Sequence, residues 1–259
     1  MMRRILVWTI LTFCLLLAAV AQAQQGGKAK TDNSGTNPVT FTYDFRIWNE
    51  TQALPGDNTF SKLTFEYRFP LLGKTTWVGR FRGSVPTLNL ANGQSFHGLG
   101  DVDARVLHVP LVKQKWAVAL GLEATFNTAT QPALGSGKTT LGPQAFLVFP
   151  NPLGIKGLLF APAYQYVFHI AGDDDAADVS RSQIDLFFVW LAANKKHWVI
   201  FNPQIIIDHE GETETLVIET EVGQMMFGTT SSYIRPGFHA SGDTLFDWNI
   251  EFGFKVIWR

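Results

Sequence analysis

Charged residues recur at two-residue spacing in one part of the chain and are the strongest candidates for a chemical role. They are Arg80, Arg82, Asp101, Asp103, Arg105 and Glu123. Spacing by two places side chains on one face of a β-strand, and opposite charges on neighbouring strands form ion pairs. We expect the Val85 end of one strand to meet the Gly98 end of the next. That register places Arg82 opposite Asp101. It also places Arg80 opposite Asp103.

The sequence leaves two roles open for this cluster. Ionisable residues at membrane depth are costly unless they face an interior and are paired, so the cluster is either a structural brace or a constriction on a solute path. Further charges extend the same wall and the wall facing it: Lys62, Glu66, Arg68, Asp185, Glu219 and Glu221. Because both signs are present, we expect no strong preference for cations or for anions.

The C-terminal stretch, residues 245–259, shows which kind of element positions these side chains. Large apolar residues alternate with polar ones and share one face: Phe246, Trp248, Ile250, Phe252, Phe254, Val256 and Trp258. A strand that crosses an outer membrane needs about 9 to 11 residues with an apolar side toward lipid. The aromatic content of this face therefore favours a membrane β-barrel strand.

About twelve alternating segments follow one another from residue 41 onward, an even number as in single-chain bacterial barrels. We expect short periplasmic turns to alternate with long outer loops at 51–59, 86–97, 128–137 and 171–180. The predicted fold is an all-β, transmembrane, antiparallel up-and-down barrel of about 12 strands over residues 41–259. Segment 199–207 is apolar on both faces, so its register stays open. A soluble β-sandwich is the alternative fold.

The N-terminus has the pattern of an export signal. Arg3 and Arg4 precede an apolar run, and Ala21-Gln22-Ala23 forms a small-residue cleavage site. Residues 1–23 are therefore predicted to be a signal peptide, and the polar residues 24–40 a flexible periplasmic tail. The formal net charge is −1, and without a basic block the chain is not expected to bind nucleic acid. The expected location is the cell outer membrane, in contact with its lipid and lipopolysaccharide.

Other possible sites are weak. Gly135-Ser136-Gly137-Lys138 resembles part of a phosphate-binding loop, but Leu141-Gly142-Pro143 follows where that motif needs a helix. The carboxylates of 173–178 suit a solvated loop better than a divalent cation site. The six histidines are scattered, so we expect no metal, no cofactor and no catalytic residue. An enzyme would require a Ser or Tyr hydroxyl beside a His on the lipid face.

Short glycine-rich motifs resemble a known family. Gly98-Leu99-Gly100-Asp101-Val102 is followed, after two strand-like segments, by 134–138 and by Gly142-Pro143-Gln144. This pattern is similar to the outer-membrane family labelled MetA-pathway of phenol degradation, although 127–130 departs from it. The resemblance implies a transporter-like barrel for passive uptake of small hydrophobic or aromatic molecules. A structural or adhesive barrel with a plugged lumen is the alternative, and bulky inward residues would favour it: Phe146, Val148, Leu159, Phe187 and Leu191.

Overall fold

The computed structural model describes residues 42–71 and 76–258. The predicted signal peptide 1–23 and tail 24–40 lie outside the described residues, and so do Cys14, Phe41 and Arg259. The turn predicted at 71–73 is described only at Leu71. Among the described residues, no helix is long and apolar enough to cross a bilayer.

Within residues 42–71 and 76–258, thirteen strands form one sheet. Their bounds are β1 Tyr43–Leu54, β2 Asn58–Pro70, β3 Trp77–Asn89, β4 Ser95–His97, β5 Val102–Val112, β6 Ala117–Phe126, β7 Lys138–Pro150, β8 Leu158–Gly172, β9 Ser180–Leu191, β10 His197–Asp208, β11 Thr213–Phe227, β12 Thr230–Gly242 and β13 Trp248–Trp258. The short β4 pairs only with the end of β3. The others pair antiparallel in chain order, and β1 pairs with both β2 and β13, which closes the ring. The predicted barrel is confirmed, and a two-sheet sandwich is excluded.

On strand β13, successive side chains lie alternately on the outer and the inner face of the barrel. Trp248, Ile250 and Phe252 are exposed on the outside, while Asn249 and Glu251 are buried inside. Phe246 does not belong to this outer face, because β13 begins at Trp248 and Phe246 is buried before it. The exposed apolar residues recur on the other strands and form a continuous lipid-facing band.

Aromatic rings pack side by side on this outer face near the chain termini. Tyr43 and Tyr67 stack on Trp258 with ring centroids 6.4 and 6.1 Å apart. Phe69 continues the row, stacked between Tyr67 and Phe81. Such a row is typical of the aromatic girdle at a membrane interface.

The structure fixes the register that the sequence left open in β10. Phe201 and Ile205 are exposed on the outer face, whereas Trp198 and Asn202 are buried on the inner face. The strand looks apolar on both faces because Trp198 and its neighbours also meet other apolar side chains inside the barrel.

Two of the four predicted long outer loops are wrong. Between β1 and β2 only Pro55-Gly56-Asp57 remains, and positive φ angles at Gly56 (75°) and Asp57 (59°) make the turn tight. The loop at 86–97 is largely a hairpin of β3 and β4. In both places the strand continues through residues that mix polar and apolar types without regular alternation, so the sequence pattern gives no signal there. The loops near 128–137 and 171–180 are confirmed.

Candidate functional site: the charged inner wall

Strands β3, β5 and β6 place the predicted charges on neighbouring positions of the inner wall. Arg82 is opposite Asp103, and Arg80 is opposite Arg105. Arg105 is in turn opposite Glu123. The predicted register was therefore wrong by two residues, because β4 and the segment 98–101 occupy the space where β5 was expected to begin. The predicted contact of Arg80 with Asp103 nevertheless forms diagonally, at 2.6 Å between Nη2 and Oδ1.

Arg80 is the centre of this network. Its guanidinium donates to Asp103 and to Glu123, and its Nη1 is 3.7 Å from Glu66 Oε2 on β2. The side chain is buried, so its charge is compensated by protein groups. A buried charge is tolerable only with such pairing. Arg80 therefore has the geometry of a brace.

Arg82 and Arg105 lie at the edge of the same network. Arg82 Nε donates to Asp103 Oδ2 at 2.8 Å. Arg105 Nη1 is 3.9 Å from Glu123 Oε2 and 3.4 Å from Gln144 Oε1. Both guanidinium groups are more exposed than that of Arg80. Unlike Arg80, they are accessible from the interior.

Asp101 does not pair with an arginine in the described structure. It precedes β5 and accepts hydrogen bonds from the backbone N–H groups of Thr128, Ala129 and Ser136 at 3.0, 3.1 and 2.8 Å. Asp101 is therefore a major anchor of the loop 127–137, beside the backbone bond from Thr130 N–H to Leu99 O. Gly135 lies against it, and a Cβ there would be 2.8 Å from the Asp101 oxygens.

The network extends to β1, which the sequence analysis missed. Asp44 accepts from Arg46 Nε at 2.9 Å and from Arg68 Nε at 3.0 Å. The signal for it was present, because Asp44 and Arg46 share the polar face of an alternating segment. Five neighbouring strands thus carry one connected set of ion pairs.

A second charged patch lies on β11, β12 and β13. Arg235 donates to Glu221 and lies 3.6 Å from Glu251. Glu251 also accepts from the Tyr233 hydroxyl at 2.5 Å. Glu221 was predicted from the sequence, but Arg235 and Tyr233 were not, because their segment carries few charges. Only the ring closure brings this patch near β1.

A cavity of about 400 Å³ lies between the two charged patches. Arg46, Lys62 and Arg82 line it from the first patch, and Arg235 from the second. The buried Leu134, carried by the loop that Asp101 holds, also reaches it.

The cavity borders an aromatic zone. Trp48 and Tyr233 line the cavity and also belong to a cluster with the fully buried Trp198. Further toward the chain termini, the inner wall carries the five bulky residues named in the sequence analysis: Phe146, Val148, Leu159, Phe187 and Leu191. Toward the chain termini the inner wall is thus apolar on β7, β8 and β9, whereas β1, β2 and β13 carry the charged Asp44, Arg68 and Lys255 at that end.

One Ser and one His meet on the outer face. Ser182 Oγ is 2.9 Å from His209 Nε2, and the Tyr164 hydroxyl is 3.1 Å from the same Oγ. Hydrolytic pairs of this type need a third group that orients the imidazole. Among the described residues, no carboxylate bonds to His209. The geometry suits a polar contact within the outer girdle.

The remaining motifs of the sequence are structural. Lys138 begins β7, so a strand, not a helix, follows Gly135-Ser136-Gly137. Asp178 pairs with Lys138 at 3.2 Å and lies 3.3 Å from His169. The described residues contain no group of three side chains arranged to hold a metal ion.

Comparison with known proteins gives matches by structure alone. No protein-family model and no curated protein matches the chain, so the resemblance to the phenol-degradation family stays a prediction. The COG4313 outer membrane channel from Pseudomonas putida F1 superposes with a TM-score of 0.69 at 10% identity, covering 89% of this chain and 100% of that one. The chain has an outer-membrane β-barrel fold.

Two further solved structures share this fold. The NanC porin superposes with a TM-score of 0.60 at 13% identity, covering 83% of this chain and 98% of its own. The KdgM porin gives 0.52 at 9% identity, covering 83% and 99%. Together with the apolar outer band, this fold places the protein in the outer membrane of a Gram-negative cell.

Proposed function

We propose that the protein is a passive outer-membrane channel for small hydrophobic or aromatic molecules. Trp48 and Tyr233 carry the proposal, because both residues line the cavity and both belong to the aromatic cluster around Trp198. A solute that enters the polar cavity meets these rings next. Apolar surface with a few placed polar groups is typical of sites for small organic molecules.

Two further points support this proposal. The three solved structures compared above are named as a channel and two porins. The glycine-rich motifs around 98–102 and 134–144 resemble a family whose implied role is uptake of aromatic compounds. Export through the predicted signal peptide 1–23 would deliver the chain to the required membrane.

The charged wall then combines the two roles considered from the sequence. Arg80 is buried among three carboxylates and braces β2, β3, β5 and β6. Arg82 lines the cavity and contributes to the surface that a solute meets. We therefore assign the brace to Arg80 and the contact with solute to Arg82.

Liposome swelling tests the proposal. Proteoliposomes with the wild-type barrel should swell faster in phenol and in short fatty acids than in sugars. Trp48→Ala should alter the phenol rate, whereas Phe188→Ala, a change of an aromatic residue on the lipid face, should leave it unchanged. Equal rates for phenols and sugars would remove the aromatic preference. The absence of swelling with every solute would favour the plugged structural or adhesive barrel.

A further inference from the structure

We propose that the cavity is a subsite for organic anions, in particular monoaromatic carboxylates, and that Arg82 and Arg235 face the bound carboxylate. The inference rests on the proposed channel function and narrows its substrate class. It departs from the sequence expectation of no strong charge preference.

The two partners of each ion pair at the cavity differ in exposure. Side chains of Lys62, Arg82 and Arg235 are 33%, 30% and 30% exposed. Their carboxylate partners Glu50, Asp103 and Glu221 are only 14%, 12% and 5% exposed. The negative ends therefore lie in the wall and the positive ends face the cavity.

Some buried side-chain polar atoms have no hydrogen-bond partner within the described residues. Among the described residues, those that belong to charged side chains are all arginine nitrogens: Arg68 Nη2, Arg80 Nε and Arg105 Nε. No carboxylate oxygen of the described residues is among them. None of these three arginines is among the residues that line the cavity, so they supply no donor to a ligand there. They show that, within the described part of the chain, the carboxylates of the wall are all paired while some arginine N–H groups are not.

The formal charges of the cavity lining are compatible with a positive surface toward the cavity. Four cations and five carboxylates line the cavity. Of the carboxylates, Asp101 accepts hydrogen bonds from backbone N–H groups of the loop. The other four carboxylates are less exposed than the lining cations with which they pair. Because Coulomb energy falls with distance, an approaching ion responds most to the nearer end of each pair.

The aromatic neighbours specify the rest of the ligand. The Arg235 guanidinium carbon lies 5.5 Å from the centre of the Tyr233 ring, and Trp48 borders the same cavity. A ligand with a carboxylate at one end and a flat apolar body at the other can contact both surfaces. Benzoate is the simplest probe with this chemistry.

Ion selectivity in planar bilayers tests the charge preference. The zero-current potential in a KCl gradient should show anion preference in the wild type. Arg82→Gln combined with Arg235→Gln should shift the permeability ratio toward cations by at least threefold. Lys195→Gln removes the same type of charge from a turn outside the cavity and should leave the ratio unchanged. Arg82→Lys with Arg235→Lys should keep the anion preference and shows that the barrel tolerates change at both sites.

Three probes with one ring separate charge from shape. Benzoate, benzamide and benzylammonium carry negative, zero and positive charge. The proposal expects permeation in that order for the wild type and loss of the order in the double glutamine variant. Equal rates, a benzylammonium preference or a cation-selective wild type would overturn the anion subsite while leaving a channel.

Binding measurements in detergent distinguish failure of the anion subsite from failure of the channel function. Calorimetric titration should show tighter binding of benzoate than of benzamide to the wild type, and loss of the difference in the double glutamine variant. If the barrel conducts nothing but binds benzoate in this manner, the channel function fails and the anion subsite stands. If benzoate and benzamide bind equally, the subsite is refuted.

Discussion

Arg80 on β3 and Asp103 on β5 form a buried contact of 2.6 Å between a guanidinium nitrogen and a carboxylate oxygen. Removal of Arg80 leaves Asp103, Glu123 and Glu66 with only their other partners, and breaking a buried ion pair costs about 3–5 kcal/mol. We therefore expect Arg80→Met to lower the free energy of unfolding by about that amount. Urea unfolding in detergent micelles, followed by tryptophan fluorescence, measures it.

Arg82→Met is the matched control for this prediction. Arg82 bonds to the same carboxylate, but its side chain is partly exposed to the cavity. Pairs that remain in contact with water contribute at most about 1 kcal/mol. Equal losses for the two variants would show that Arg80 has no special role as a brace.

Asp101 should control the order of the loop 127–137. Asp101→Ala removes the acceptor from three backbone N–H groups, each in a charge-assisted bond worth about 1.5–3 kcal/mol. We expect hydrogen exchange at Thr128, Ala129 and Ser136 to accelerate at least about tenfold, while exchange in β13 stays unchanged. Asp175→Ala, in an exposed loop, is the control. Unchanged exchange at all three amides would contradict the assignment of Asp101 as the anchor of the loop.

Gly223 should be intolerant of any side chain. A Cβ at this position would come within 2.1 Å of the Trp198 indole, which is fully buried and donates to Glu221 at 2.6 Å. Overpacking of this kind costs about 1–3 kcal/mol, so we expect Gly223→Ala to lower the midpoint of urea unfolding. Gly83→Ala is the control, since its nearest contact would be 3.9 Å. If both variants unfold at the same urea concentration, the indole moves aside freely.

The Ser182 and His209 pair should not support hydrolysis. Ser182→Ala should leave the release of fatty acid from phospholipid micelles at the background level of the wild type. The lost hydrogen bonds should cost only about 1 kcal/mol in unfolding. Release by the wild type that disappears in Ser182→Ala would establish an esterase and overturn the assignment as a girdle contact.

Alternation was enough to predict the barrel and the orientation of most side chains, because lipid and interior impose opposite polarity on successive residues. It could not give the offset between β3 and β5, since the end of β3 (85–89) and β4 mix polar and apolar residues without regular alternation. The charges on 80–123 could be found by spacing. Arg235 could not be connected to them, because its neighbour β13 meets β1 only through closure of the ring.

The pairing of β1 with β13, from Tyr43 opposite Trp258 to Ala53 opposite Trp248, joins residues about as distant along the chain as the barrel allows. Formation of this seam requires a large loss of chain entropy before the contacts between β1 and β13 are gained. Loss of the final strand would leave β1 and β12 as two unprotected edges, and such edges recruit other chains. Aggregation, and not a smaller ring, is therefore the expected fate of a polypeptide that ends before Trp248.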